Sequence, residues 1–313
     1  MMIEAFRQTG YKREAVELTA ETLVAAQYGT VWEGAAITEE METNERRPDR
    51  ATFAPLQSVG GAYFGKFSGA FEPRPSGTDA TAPDWFQLGT ASGASIASDV
   101  LTWGAEAVSV AGIIGDTVTM KVRDGVYERT LAGSRMSKLS FKAEKGGVWS
   151  CECEGTGRYT EAAQAAFLAA AHPTSGLGQP FLGLGCSIGG STSAVSSVEI
   201  SIENEVTPVA DGTHASGHGR NIITGQKLMC RVTILEDGTI NWRDKARNDA
   251  SGDLMAVSIV MATGTAGNVL TWTGSINLVN KPTVTYVDGI GYVSIEGEFV
   301  TTSAAAALTL TQS

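Results

Sequence analysis

Histidine, cysteine and proline are all scarce in this 313-residue chain, at three, four and nine residues, and the 37 glycines follow no G-X-Y period. The missing period excludes a collagen-like rod. Two of the histidines, His214 and His218, lie in DGTHASGHGRN. That stretch is too rich in glycine for a helical i, i+4 metal pair, so both are read as solvated loop residues. His172 ends an alanine-rich stretch, where a cation favours a helix C-terminus. H-E-x-x-H, G-x-S-x-G and G-x-x-x-x-G-K-[ST] are all absent. Gly183–Gly189 has the wrong spacing for a dinucleotide loop and no βαβ pattern around it.

The cysteines Cys151, Cys153, Cys186 and Cys230 are too few for a disulfide scaffold in a chain of this size. Cys151 and Cys153 fall on one face of a strand, too far apart for an easy bridge, and all four are read as small buried hydrophobes in a reducing compartment. No apolar run reaches the roughly 18–20 residues that cross a bilayer. The opening MMIEAFRQTGYKREAVEL has no apolar signal core, so no export is expected. Lysine and arginine total 23 against 34 aspartates and glutamates, a net charge of −11, which is the wrong sign for gripping phosphates.

What is present reads as strand. Apolar residues at 42% and charged residues at 18% are globular proportions. TVTMKVRDGVYERTL sets two alternating runs around Asp124-Gly125, a hairpin signal because glycine supplies the positive φ of the turn. Asp237-Gly238 within CRVTILEDGTINW and Asp288-Gly289 within TVTYVDGIGYVSIEGEFV give the same signal. Short strands are expected at Val257–Met261 and Val269–Trp272. Helix is expected twice. Thr160–Ala171 has a capping threonine, an early Glu161, an alanine-rich body and Pro173 as a stop. Ala82–Gln87 carries Pro83 in its first turn.

Two further patterns could suggest chemistry. Asn248, Asp249, Ser251 and Asp253 are spaced loosely like a calcium loop, but the downstream bidentate glutamate is missing, so a polar loop is expected. Glu39, Glu40, Glu42 and Glu45 alternate faces if their segment is a strand, which suits a solvated or lumen-facing edge better than an acid–base pair. No catalytic, cofactor-binding or metal-binding residue is nominated. Among the six tryptophans, Trp85, Trp103, Trp149, Trp242 and Trp272 fall in or beside strand-like or turn segments, where burial is the common fate; stacking on sugars is the alternative.

The two halves echo each other. METNERRPD in the first and SIENEVTPVAD in the second align Asn44-Glu45 with Asn204-Glu205, each followed by a proline. Phe71-Glu72 stands ten and eleven positions after Gly61, and Leu235-Glu236 the same distance after Gly225. The closing strands read WSCECEG and YVSIEGEF. The two copies then differ by four residues in loop length. A diverged duplication follows.

ETLVAAQYGTVWEGAAI leading into METNERRPD, then APDWFQLG, VRDGVYERTLAGSRMSKLSFKAEKG, and LGCSIGGSTSAVSSVEISIENEVTPVADG with NIITGQKL, together resemble the tail tube proteins, or major tail proteins, of long-tailed bacteriophages. The resemblance spans roughly residues 15 to 302. The alanine-rich 160–171 stretch departs from it, since a proline-bearing spacer would be expected there.

The resemblance implies an all-β chain of tandem tail-tube-like β-sandwiches or partial barrels that lend strands to an inner β-barrel, with one or two short helices. The implied divisions are an N-terminal arm 1–14, a first β domain 15–159, a helix and glycine-rich linker 160–182, a second β domain 183–303 and a tail 304–313. It implies a non-enzymatic virion protein without cofactors, assembled in the host cytoplasm. Its partners are further copies of itself (a pseudo-sixfold homotrimer, alternatively a homohexamer, in stacked rings), with a tape measure protein and a tail terminator. Double-stranded DNA passes through without specific binding. Three chains of −11 would give such a ring −33. The segments NERRPD and DGTHASGHGR are candidates for ring stacking. A head decoration or baseplate sandwich, or a carbohydrate-binding adhesion module, is the alternative.

Overall fold

The computed structural model describes residues 7–44, 59–104, 116–169, 180–238, 240–242, 244–245, 254–262, 264, 267–301 and 306–313. It is almost entirely antiparallel strand. In chain order the strands are β1 Arg7–Arg13, β2 Trp32–Asn44, β3 Val59–Phe71, β4 Ser95–Ala97, β5 Val100–Trp103, β6 Val118–Asp124, β7 Tyr127–Glu144 and β8 Ser150–Gln164. They continue with β9 Cys186–Ile188, β10 Val195–Ala210, β11 His218–Leu235, β12 Met255–Ala262, β13 Leu270–Leu278, β14 Thr283–Val287, β15 Ile290–Phe299 and β16 Leu308–Gln312. Among the described residues the α-helix α1 Phe86–Ala91 packs its buried Phe86 and Leu88 into the core.

Pairing runs β2-β3-β8-β7-β10-β11-β15-β13-β16-β5-β4, with β1-β6 joined at β7, β9-β12 joined at β13, and β14 joined at β15. The sheet is not closed into a barrel. It folds over one continuous core, which makes the chain an all-β sandwich. Aromatic rings carry that core from end to end. Tyr11 on β1 touches Trp32 on β2, Trp32 touches Phe71, Phe71 touches Trp85, Trp85 touches Phe141 on β7, Phe141 touches Trp272 on β13, and Trp272 lies 5.6 Å from Trp103 on β5.

The same pairing circuit occurs twice. In the first, β1 pairs β6, β6 pairs β7, β7 pairs β8, β8 pairs β3 and β3 pairs β2. In the second, β9 pairs β12 and β12 pairs β13. The 18-residue β7 is matched there by the equally long span Leu270–Val287, broken into β13 and β14. β8 is likewise matched by β15 and β16 together, which pair β14 and β13, and β15 pairs β11, which pairs β10.

Register agrees too. Ile37 pairs Phe67, 30 positions on, and Phe67 pairs Gly155; Ile200 pairs Cys230, also 30 positions on, and Cys230 pairs Gly297. This shifts the repeat read from sequence by one residue at β3. Phe71, buried and paired with Cys151, corresponds to Ile234, paired with Val293, and not to Leu235. Met41, not Asn44, takes the place of Asn204, so the four-residue difference in loop length disappears from the paired core. The cause is inside–outside alternation: a match that puts a buried residue on a half-exposed one cannot hold in a sheet.

Other expectations are also revised. Over its described residues, 160–169, the stretch Thr160–Ala171 is not a helix. β8 continues to Gln164, with Thr160 opposite Thr130 and Gln164 opposite Tyr127, and no helix is assigned at 165–169. Alanine's helix preference is worth a few tenths of a kcal/mol per residue, less than a strand ladder offers here. His172 and Pro173 lie outside the described residues. The helix expected at Ala82–Gln87 begins only at Phe86, after a turn closed by Phe86 N–H on the Pro83 carbonyl at 3.0 Å.

Asp124-Gly125 and Asp288-Gly289 do turn hairpins, β6–β7 and β14–β15. Asp237-Gly238 does not: it leads to a helical turn that includes Trp242 and Lys245. Residues 1–14 and 304–313, expected as arm and tail, supply β1 and β16, with Tyr11, Leu308 and Leu310 buried.

Candidate functional site

No catalytic centre is expected from the sequence, and among the described residues no group of histidine, cysteine, aspartate and glutamate is placed to hold a metal ion. Cys151, Cys153 and Cys230 are buried and Cys186 is half-buried; all four are free. Burial pushes the Cys186 thiol up to about 11 and raises the other three as well, the opposite of nucleophile activation.

Trp85, Trp103, Trp149, Trp242 and Trp272 are all buried in the core, so none of them offers a sugar a face. The histidine loop is not simply solvated. Arg158 donates to His214 Nε2 at 2.8 Å, the Ser216 carbonyl accepts from Tyr63 N–H at 3.0 Å, and His218 lies edge-on to Phe64. DGTHASGHGR is therefore seated on β3 of its own chain. Residues 45–50, which hold Glu45 and the rest of NERRPD after Asn44, and the acidic loop at 248–253 lie outside the described residues.

Two features remain that fit an assembling protein. The first is the sheet face opposite the core. Alternation along β7, β8, β10, β11 and β15 sends Leu139, Phe141, Cys151, Cys153, Ile200, Val232 and Ile295 inward. Lys138, Lys142, Glu152, Glu154, Glu199, Arg231 and Glu296 take the other side. There they interlock. Lys138 bridges Glu152 and Glu154, Lys142 bridges Glu152 and Glu199, and Arg231 bridges Glu199 and Glu296, at 2.9 to 3.6 Å. Lys66 bridges Glu40 at 2.7 Å on β3 and β2.

Hydrogen bonds from Lys142 and Lys138 hold the Glu152 carboxyl below the usual carboxylate range. Asn280 and Arg231 do the same to Glu296. These cations are committed to carboxylates within the sheet and present little free positive charge to a polyanion.

The second feature lies at the sheet edges, where β1, β2, β4, β9 and β14 each pair with one strand among the described residues. Among the described residues β2 pairs only with β3, and β14 only with β15. The β2 edge exposes Glu39, Glu40, Met41 and Glu42. Along β14, Tyr286 is 75% exposed and Val287 53%. Open edges with exposed apolar residues are templates for another chain.

The family model described as phage tail tube protein matches residues 7–305. The chain belongs to the phage tail tube protein family. Its members are structural components of the virion tail, and membership carries self-assembly into a tube. No match was found among curated proteins. For this tail tube protein no helix among the described residues is long and apolar enough to cross a membrane.

Strand edges such as those of β2 and β14 expose backbone donors and acceptors, which have no residue signature. The alternation of Lys138, Lys142, Glu152 and Glu154 was in principle readable once their strands were paired.

Proposed function

We propose that each pairing circuit is one tail-tube-like unit and that three chains close a pseudo-sixfold ring, with rings stacked into a hollow tube. Six chains per ring is the alternative if the two circuits do not act as equivalent units. The first unit is the expected 15–159 domain extended by β1, and the second is 183–303 extended by β16. The observation that carries this reading is the β7–β10 junction, where Ser197–Glu203 pairs antiparallel with Lys138–Glu144. The chain already contains one unit-to-unit seam of continuous sheet, and among the described residues β2 and β14 flank it as strands with one strand neighbour each. Rotation about a ring closes such edges, whereas in a monomer they stay exposed.

In this reading the interlocked charged face lines the lumen. A wall whose cations are bridged and whose overall balance is acidic repels phosphates at short range, so double-stranded DNA slides past without sticking. The family resemblance adds a tape measure protein inside the tube and a tail terminator at its end, with assembly in the host cytoplasm.

Electron microscopy of the purified protein at rising concentration tests the proposal. Rings with six density lobes and a central channel, from a complex of three chains by sedimentation, are expected. A protein that stays monomeric at high concentration, alone and with tail partners, overturns it.

A further inference from the structure

Resting on that ring reading, we infer that β14 of one copy pairs antiparallel with β2 of the next in a defined register: Lys281 opposite Glu40, Thr283 opposite Thr38 and Val284 opposite Ile37. The in-chain seam is the template. Phe141 on β7 pairs Cys151, which pairs Phe71; Val284 on β14 pairs Val293, which pairs Ile234. Phe141 and Val284 therefore hold the same place, and with them Ser140 and Thr283; Lys281, two residues before β14 begins, is the counterpart of Lys138 by count along the chain.

On the other strand Ile200 and Ile37 correspond through Cys230 and Phe67, so Ser201 matches Thr38 and Glu203 matches Glu40. Within the chain Lys138 stands opposite Glu203, Ser140 opposite Ser201 and Phe141 opposite Ile200. Carrying each residue to its counterpart gives the register above. These three pairs keep their chemistry, cation with carboxylate, hydroxyl with hydroxyl and apolar with apolar, whereas Leu139 with Ile202 becomes Pro282 with Glu39 and Lys142 with Glu199 becomes Thr285 with Ala36.

Burial points the same way. Ala143 is 4% exposed because β10 lies beside it, and its counterpart Tyr286 is 75% exposed. Phe141 is fully buried, while Val284 is only partly so. These are the differences a missing neighbouring strand produces.

Competing registers lose these three pairs. A slip of one residue turns the core face of one strand against the solvent face of the other. A slip of two sets Val284 opposite Glu39, or Lys281 opposite Thr38. Pairing β2 with β2 of another copy would bring Glu39, Glu40 and Glu42 against their own kind, so the seam is head-to-tail.

The test is assembly of Lys281→Glu, Glu40→Lys and their combination, read by sedimentation and electron microscopy. Each single reversal should raise the concentration for half-assembly about tenfold, with the combination recovering most of it. Glu40 also bridges Lys66 in its own hairpin, so a second measurement is needed. Thr38→Cys with Thr283→Cys, in a Cys186→Ser background, should give on oxidation a covalent ladder on a denaturing gel, and either cysteine alone should give none. Normal tubes from all charge variants with no ladder from the double cysteine overturn the register while the ring reading stands. No rings, tubes or ladder from any form, wild type included, overturn both.

Discussion

Lys142 on β7 stands between two carboxylates from different strands, with Nζ 2.9 Å from Glu152 on β8 and 3.6 Å from Glu199 on β10. It lies directly opposite Glu199 at the seam between the two pairing circuits. Lys142→Glu would place three carboxylates side by side there. Because these groups are partly exposed, the loss should be modest, about 1 kcal/mol by urea unfolding at low ionic strength. High salt should remove most of the difference, because screening acts on the repulsion and leaves packing untouched. A loss unchanged by salt would locate the damage in packing.

Trp272 makes the opposite kind of contact. It is fully buried, stacks near Trp103 and Phe141, and so ties β13 to β5 and β7. One core shared by both circuits should unfold as one cooperative unit, giving a single calorimetric transition. Trp272→Ala should cost about 3–5 kcal/mol and lower that transition without splitting it. Two separated transitions in the wild type would mean that the circuits melt independently.

Two glycines separate backbone strain from crowding. Gly267 has φ +85°, and a Cβ there would lie 2.5 Å from the Thr78 carbonyl carbon and 2.6 Å from the Asp79 nitrogen. Gly289, in the β14–β15 turn, has φ +80° with nothing within 4 Å of the same point. Gly289→Ala should cost about 1 kcal/mol, the left-handed conformation alone. Gly267→Ala adds a collision with backbone that has no rotamer to escape to, and should cost about 3 kcal/mol or more. Thermal melts of the pair decide it; equal losses would show that the 78–79 segment yields.

The contrast between what the sequence revealed and what it hid has a physical pattern. Asp124-Gly125 and Asp288-Gly289 were legible because a positive-φ turn demands particular residues. Thr160–Gln164 misled because its alanines state a helix preference while its partners Tyr127–Thr130 sit at the far end of a long hairpin with the preceding strand β7. The second circuit's broken strands, β13 with β14 and β15 with β16, blurred a repeat that hydrogen-bond pairing makes plain. The open edges of β2 and β14 were invisible, since an edge is defined by which neighbour is missing.

Acid should unfold the protein partly through Glu128. Its carboxylate is bridged by Lys121 at 2.8 Å and Arg123 at 2.6 Å. Burial alone would raise its pKa, but the hydrogen bonds from Lys121 and Arg123 outweigh burial and hold it below the usual range. The unfolded chain takes up its proton near the ordinary value of about 4.3, before the folded protein does. The stabilisation is therefore complete above that pH and fades as pH falls through the lower folded value. Glu17 runs the other way. Burial raises its pKa, so its charge opposes folding near neutrality, and the opposition vanishes as the pH drops through the folded value. Glu128→Gln should lose about 2 kcal/mol at pH 7, with the gap to wild type closing below about pH 4. Glu17→Gln should be neutral or stabilising at pH 7 and lose that advantage in acid. Urea titrations across the pH range measure both, and a Glu128→Gln deficit that persists unchanged in acid would place its origin in packing, outside the ionic bridge.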